Sequence, residues 1–222
     1  LAKPNVNVIT VEDPVAKNIE GINQCQVNAK AGMTFAAALR SILRQDPDIV
    51  MVGEMRDQET AEIAIRAAIT GHMVLSTLHT NDAASTITRL VDMGVAPYMV
   101  ATSLIGIVAQ RLCKVVCNEC KTPRMSTPEE NELLGITESA TIYDACGCPK
   151  CNNTGYTGRT AIHEILLCTH EMASLIAADG KVDAISSLAK EQGCKLLRDN
   201  VAELVLEGRT TLDELVKLTF AV

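Results

Sequence analysis

Three apolar segments in the first half of the chain each end beside a side chain that can do acid–base or metal chemistry. The segments and the residues that follow them are Val6–Val11 with Glu12 and Asp13, Ile49–Val52 with Glu54, and Met73–Leu78 with His79. A carboxylate can polarise a water molecule or hold Mg²⁺, and a histidine can hydrogen-bond to a phosphate. Taken singly, each acidic residue could belong to a solvated turn and the histidine could be structural. Such side chains at the ends of three predicted strands together favour a shared site.

The elements that must position these side chains are predicted to be strands separated by single helices. Caps and apolar spacing predict helices from Thr34 to Gln45, over Gln58–Ile69 after Asp57, and onward from Asn81 or Asp82. Strands joined in this way form a mostly parallel sheet with helices on both faces, and ligands bind at the carboxyl ends of its strands. The acidic residues and His79 are predicted to lie at that edge.

A second kind of chemistry is indicated by two C-x-x-C pairs in the middle of the chain. Their members are Cys117, Cys120, Cys148 and Cys151. Thiolates at this spacing form two knuckles that close a tetrahedral zinc site, which is structural because it leaves no open position. Cys113 and Cys146 are near enough to compete as ligands, and Cys146 is the stronger competitor. An odd total of nine cysteines favours reduced thiols over a disulfide framework.

Composition narrows the function classes. The 222 residues carry a net charge of −7 and contain 2% aromatic residues, which argues against a nucleic-acid binder because phosphates need a basic surface. Val95–Ala109 is shorter than the roughly 20 residues of a membrane span and is predicted to be a helix buried against a sheet. No secretory signal pattern follows Leu1, so we expect a soluble protein that can still work against a membrane.

The alternation of predicted strands and helices ends near residue 112, and the composition of the chain changes there. Residues 113–158 are rich in Cys, Pro, Gly, Asn and Thr and are predicted to form an inserted, metal-organised loop module. Arg159–Leu167 is predicted to be a strand, followed by helices near 169–178, 182–192, 196–207 and 212–219. The predicted division is therefore 1–112, 113–158 and 159–222.

Several motifs, in order, resemble those of the type II/IV secretion ATPase superfamily, and most closely its PilB/GspE branch. Val11–Val15 resembles the Asp box, Leu39–Asp48 with Val52–Asp57 the Walker B region, Thr70–Asp82 the His box, and Gly155–Arg159 the segment after the four-cysteine module. The resemblance covers residues 5 to about 167. It implies an α/β fold with a RecA-like P-loop NTPase core, a zinc module and C-terminal helices, with 1–112 as a partial core.

The resemblance also implies a function, cofactors and partners. Members of the branch are ATPases that use ATP, magnesium and zinc and assemble as rings, usually hexamers, on the cytoplasmic side of the membrane. The ring turns an inner-membrane platform protein that extracts pilin-like subunits into a growing fibre, in type IV pilus assembly or type II secretion. No nucleic acid is expected among the partners.

Residue roles carry over by resemblance. Glu12 corresponds to the general base that activates the attacking water, and Glu54 belongs near magnesium and the γ-phosphate. His79 belongs to phosphate sensing, and so does His72, which precedes the third apolar segment. The other expected nucleotide-side positions are Asp13 and Arg56, with Arg40 and Arg44 as further candidates for nucleotide or subunit contacts.

Two departures from the family pattern bear on these expectations. Ala16 stands where the family usually carries a second glutamate after the Asp box. The 222 residues also contain no G-x-x-x-x-G-K-[ST] loop, which supplies the backbone cradle and the lysine for the phosphates. Because the family places that loop a helix upstream of the Asp box, this chain is expected to begin after it and to be inactive alone.

Three alternatives stay open. A pilus retraction motor shares the superfamily, but such motors typically lack the four-cysteine module. A non-catalytic scaffold of the same assembly would lack the phosphate loop naturally. A zinc-ribbon nucleic-acid module is disfavoured by the acidic charge and the scarcity of aromatic residues.

Overall fold

The computed structural model describes residues 3, 5–178 and 180–220 (for Phe220, the backbone only). The chain forms two compact units, and in the first of them short strands rich in β-branched residues alternate with capped helices. Unit 1 comprises Leu1–Ile105 and Cys168–Leu188, and unit 2 comprises Gly106–Leu167 and Ala189–Val222. The predicted boundaries at 112 and 158 stay a prediction. The compact units divide elsewhere, because a strand that begins at Gly106 pairs throughout with one that ends at Leu167.

The helices and strands are numbered in chain order. The strands are β1 Val8–Glu12, β2 Asn23–Gln26, β3 Ile49–Val52, β4 Met73–Ser76, β5 Gly106–Val116, β6 Thr122–Met125, β7 Thr141–Asp144 and β8 Tyr156–Leu167. The helices are α1 Phe35–Ile42, α2 Gln58–Ile69, α3 Ala83–Asp92, α4 Pro97–Ser103, α5 Pro128–Leu134, α6 His170–Ala177, α7 Val182–Glu191, α8 Leu197–Leu206 and α9 Leu212–Phe220. Among the described residues, no helix is long and apolar enough to cross a membrane.

The sheet of unit 1 is parallel and has the order β2-β1-β3-β4. Its register places Val11 beside Val52 and Val52 beside Ser76, so the three strands end at one edge. Val11, Val50 and Val52 are fully buried in this sheet, which explains the continuous apolar runs in the sequence. The predicted parallel α/β architecture is confirmed.

Local signals set the helix starts of unit 1. Thr34 caps α1 by accepting from the Ala37 N–H at 3.2 Å, and Asp57 caps α2 by accepting from the Thr60 N–H at 2.8 Å. Asp82, not Asn81, caps α3. Side-chain caps of this kind satisfy N–H groups that have no partner within the helix.

One prediction about an element was wrong. The helix predicted over Val95–Ala109 ends at Ser103, and β5 begins at Gly106. Leu104 is already extended at φ −80° and ψ 124°, and the β-branched residues that follow it favour a strand. The loop module predicted over 113–158 also contains β6, α5, β7 and parts of β5 and β8.

Unit 2 is built on the antiparallel pair of β5 and β8. Its core joins these strands to the hairpin of β6 and β7 and to the last helices. The largest fully buried members are Ile142, Val201, Val205 and Leu215. The apolar residues of the C-terminal helices therefore pack on the module that the sequence analysis treated as an insertion.

The turn between α8 and α9 (Glu207–Thr211, the α8–α9 turn) is held by β5 and the first cysteine knuckle. The Val116 N–H donates to the Arg209 carbonyl at 2.9 Å, and the Lys121 Nζ donates to the Gly208 carbonyl at 2.8 Å. The Thr210 hydroxyl donates to the Lys114 carbonyl at 2.7 Å. Backbone groups at the end of α8, which lack helical partners, are thus satisfied by the strand and the knuckle.

Gly208 gives a test of how tightly this turn packs. Its φ is +67°, and a Cβ built there would lie 2.5 Å from the Tyr143 ring. We expect Gly208→Ala to lower the free energy of unfolding by about 2–3 kcal/mol, through left-handed backbone strain plus the clash. Urea unfolding followed by circular dichroism and tyrosine fluorescence measures the change.

Gly193→Ala is the matched control for this substitution. Gly193 has φ +86°, and its added Cβ would meet nothing within 4 Å. It should therefore cost only the backbone term, about 1–2 kcal/mol. Equal losses for the two variants would show that the contact with Tyr143 is not tight.

Candidate functional site

Glu54 follows β3 through a glycine that the sheet requires. A Cβ at Gly53 would lie 3.2 Å from the Val11 carbonyl oxygen and 3.3 Å from the Glu12 Cα, which is tighter than ordinary packing. The Gly53 N–H donates to that Val11 carbonyl at 2.8 Å, and the Gly53 carbonyl accepts from the Thr77 hydroxyl at 2.6 Å. The end of β3 is therefore joined to the segments after β1 and β4, so Glu54 has a defined position.

The Glu54 carboxylate is held by Arg56 and approached by His79. Arg56 donates from Nε to Oε2 at 2.5 Å and from Nη2 to Oε1 at 2.6 Å, and His79 Nε2 lies 3.4 Å from Oε2. The Arg56 hydrogen bond is the main reason that the pKa of Glu54 is lowered from its usual value. The Glu54 side chain is 13% exposed and that of His79 is 89% exposed. The carboxylate is thus ionised at neutral pH, with a free imidazole edge beside it.

Glu12, the last residue of β1, is the more buried of the two glutamates, at 9% exposure. Its Oε1 accepts from the Thr10 hydroxyl at 2.5 Å and from Gln24 Nε2 at 2.9 Å. These bonds, Thr10 first, lower the pKa of Glu12 although burial acts to raise it. A buried carboxylate kept ionised in this way can accept a proton from water.

Asp13 and His72 complete the predicted set but differ in placement. Asp13 is exposed directly after Glu12, and its charge adds to that of Glu54 in raising the pKa of Arg56. His72 precedes β4, at the opposite edge of the sheet, and its Nδ1 lies 3.1 Å from the Ala67 carbonyl oxygen. The structure therefore gathers Glu12, Asp13, Glu54, Arg56 and His79 at one edge and leaves His72 at the other.

The gathered residues, named here the strand-end cluster, fit a divalent cation and a phosphate. Three carboxylates supply the oxygen ligands that Mg²⁺ prefers. Arg56 and His79 supply the donors that a phosphate needs. The arrangement can position a cation and polarise a water molecule at the carboxyl edge of the sheet, where such folds bind ligands.

The four predicted cysteines form a second cluster, in unit 2. Their Sγ atoms all lie within 4.8 Å of one another. Cys117 Sγ lies 3.9 Å from Cys148 Sγ, and Cys120 Sγ lies 3.9 Å from Cys151 Sγ. Four sulfurs at about 2.3 Å from a tetrahedral metal are about 3.8 Å apart. The cluster has the size of a metal site.

Backbone N–H groups point at the sulfurs of this cluster. Cys120 Sγ accepts from the Gly147 N–H at 3.3 Å, and Cys151 Sγ accepts from the N–H groups of Cys148 and Gly155 at 3.1 and 3.3 Å. Burial acts to raise the pKa of the Cys151 thiol, but hydrogen bonds from the N–H groups of Cys148 and Gly155 and from the Cys148 and Cys120 thiols together lower it to about 6. Thiolate, the form that binds metal, is therefore favoured at Cys151.

The two competing cysteines lie outside this cluster. The Cys146 thiol is exposed, with its Sγ 2.8 Å from the Thr122 hydroxyl. The Cys113 thiol is buried in the core, where its Sγ contacts the Thr210 hydroxyl at 3.2 Å. The sequence left open whether Cys146 replaces Cys148 as a ligand. In the structure Cys148 belongs to the cluster and Cys146 does not.

Sequence reasoning missed Thr10 and Gln24, which contact Glu12. Thr10 had a readable signal, because a residue two positions before Glu12 on a strand lies on the same face. Gln24 had none, since its position depends on the pairing of β1 with β2. A polar residue on a short edge strand does not reveal which neighbour it touches.

The chain is similar to known proteins over nearly its whole length. A model of the family described as "Type II/IV secretion system protein" matches residues 1–217. The chain is 49% identical over 99% of its length to the type IV pilus assembly ATPase PilB of Thermus thermophilus, and 50% identical over 96% to the type II secretion system protein E of Pseudomonas aeruginosa. It spans only 25% and 43% of those relatives.

Solved structures agree on the fold. A crystal structure of the pilus retraction motor PilT with bound ADP superposes with a TM-score of 0.71 and 29% identity. The superposition covers 96% of this chain and 52% of the PilT chain. The PilT chain is longer than this chain, and the part that superposes has the same fold.

Proposed function

The chain belongs to the type II/IV secretion system protein family, and we propose on that premise that the protein carrying it hydrolyses ATP to drive type IV pilus assembly or type II secretion. The observation that carries the proposal is the strand-end cluster. Glu12 and Glu54 are two ionised carboxylates at the carboxyl edge of a parallel sheet. Such a pair can serve phosphoanhydride hydrolysis, with one group orienting the water and the other holding the cation. The sheet is assigned to a RecA-like core.

In the proposed reaction, water attacks the γ-phosphorus of ATP in line with the bond to the β-phosphate oxygen. That bond breaks, and ADP and phosphate leave. Glu12 orients the water and accepts its proton, and Glu54 with Asp13 would supply oxygen ligands for Mg²⁺. Magnesium, when bound, neutralises charge on the phosphate oxygens. His79 and Arg56 are assigned to the phosphate side. We assign His72 no contact there, because it lies at the opposite edge of the sheet, and its role in phosphate sensing stays a prediction.

Zinc is the metal we assign to the four-cysteine cluster. Four thiolates in a closed tetrahedral set are typical of structural zinc and leave no position for a substrate. The metal would hold the two knuckles, and with them the residues that contact the α8–α9 turn. The cluster also favours assembly or secretion over retraction, since retraction motors of the superfamily typically lack it.

The proposed motor works as a homo-oligomeric ring, hexameric by resemblance, at the cytoplasmic face of the membrane. Its partners are an inner-membrane platform protein and the other pilus or secretion components. The net charge of −7 supports the view that nucleic acid is not among them. The second candidate, a non-catalytic scaffold of the same assembly, is kept because this chain has no phosphate loop.

Gene deletion and complementation test the proposal. Deletion should abolish surface pili or the export of type II substrates, and the intact gene should restore them. A Glu54→Gln gene should fail to restore them, whereas it would succeed if the protein were a scaffold. Excess surface pili after deletion would instead identify a retraction motor, and unchanged piliation and export would contradict the proposal.

A further inference from the structure

Gln24 joins the Glu12 carboxylate to a loop that the proposed mechanism does not use. Its Nε2 donates to Glu12 Oε1 at 2.9 Å and lies 3.1 Å from the Lys17 carbonyl oxygen. Its Oε1 accepts from the Ile19 N–H at 2.7 Å. Both ends of the amide are therefore engaged, which fixes its flip state and leaves an N–H aimed at the carboxylate.

Thr10 completes the contact from the other side of Glu12. Its hydroxyl donates to the same oxygen, Oε1, at 2.5 Å and comes from the same strand two residues earlier. Two donors that converge on one carboxylate oxygen restrict rotation of the carboxylate group. They also stabilise the ionised form, so the same contacts set both the direction and the charge of the group.

A simpler explanation is that Gln24 only stabilises the loop beside its edge strand, through its bonds to Lys17 and Ile19. Gln26, two residues on in β2, has that simpler role, since its Oε1 accepts from the Val15 N–H at 3.4 Å. No hydrogen bond between Gln26 and Glu12 is found among the described residues. Gln26 therefore contacts only the loop, whereas Gln24 contacts both the loop and the Glu12 carboxylate, so substituting each residue distinguishes the two roles.

We infer that Gln24, together with Thr10, is a positioning residue for Glu12 and directs its carboxylate toward the attacking water. The inference rests on the proposed function, in which Glu12 takes the proton of that water. Loss of either donor would leave the Glu12 carboxylate able to rotate away from the water. Turnover would fall, while the binding of nucleotide, which neither residue is assigned to contact, would change little.

The experiment compares variants of the intact, full-length protein in steady-state ATP hydrolysis. Gln24→Leu and Thr10→Val are each expected to lower kcat about tenfold with KM changed less than about twofold. Thr10→Ser, which keeps the hydroxyl, should restore kcat, and Gln26→Leu should leave kcat and KM near their wild-type values.

Glu12→Gln distinguishes a failure of the positioning role from a failure of the proposed function. If Glu12→Gln abolishes turnover and Gln24→Leu leaves kcat unchanged, the positioning role is wrong and the proposed function stands. An equal effect of Gln26→Leu would show that the loop, not the carboxylate contact, matters, which also overturns the inference. If Glu12→Gln keeps full turnover, both the base assignment and the positioning role are wrong.

Discussion

Replacing Glu54 by glutamine in the intact protein is expected to lower kcat for ATP about a hundredfold while leaving ATP affinity within about threefold. Glutamine keeps the size and one oxygen but removes the charge that pairs with Arg56 and attracts a cation. The structure places this carboxylate at 13% exposure, with two Arg56 bonds and an imidazole beside it. Steady-state hydrolysis with a nucleotide-binding titration measures both quantities.

Glu59→Gln is the matched control for this result. It makes the same chemical change in unit 1, at a surface pair with Arg40 whose Glu59 side chain is 60% exposed. Exposed pairs contribute little, so kcat should stay near that of the wild type. Undiminished turnover in Glu54→Gln would remove Glu54 from the catalytic site. Equal losses in both variants would point to a general effect of charge.

The second large effect is expected from the four-cysteine cluster. Cys151→Ser should reduce bound zinc from about one atom per chain to none, and it should destabilise unit 2 by several kcal/mol, on the order of half of a structural zinc site's binding energy. The reason is geometric, because the Sγ atoms of all four residues converge within 4.8 Å. Metal analysis by mass spectrometry and thermal unfolding measure the two changes.

Metal loss should also be visible at a distance from the cysteines. Val116 and Lys121 flank the first knuckle and donate to the carbonyls of Arg209 and Gly208. Hydrogen exchange at the α8–α9 turn and the end of α8 should therefore accelerate in Cys151→Ser. Protection that is unchanged there would mean that the turn is held without the metal.

Cys146→Ser is the control, because Cys146 lies closest in sequence to the cluster without belonging to it. Its thiol is exposed and contacts Thr122, so the variant should keep its zinc and its unfolding temperature. Zinc loss in Cys146→Ser, together with retention in Cys148→Ser, would reverse the ligand assignment. Folded, zinc-free wild-type protein would defeat the metal assignment altogether.

The sequence predicted best what local rules decide. Runs such as Ile49–Val52 are apolar because both faces of a parallel strand are covered, and Thr34 and Asp57 cap helices through their own neighbouring N–H groups. The cysteine spacing was equally readable, since a knuckle is built within a few residues. These features need no knowledge of distant contacts.

What the sequence could not reveal depends on pairing between distant segments. The wrong helix over Val95–Ala109 arose because an apolar run gives no sign that it changes from helix to strand near Leu104. The edge at which His72 lies follows from the direction of β4, and the contact of Gln24 with Glu12 follows from the register of β1 and β2. Such relations are tertiary, so single-sequence periodicity does not contain them.

The hold on the α8–α9 turn has a mechanical consequence. A pull on α9 would first load the bonds that Lys114, Val116 and Lys121 make with the turn and with Glu214, before it reaches the pairing of β5 with β8. These anchors lie beside the first cysteine knuckle, so a metal there would stiffen the joint. Within unit 2, the last two helices also pack in one core with β5 and β8, so we expect force applied to them to pass to the β5–β8 ribbon.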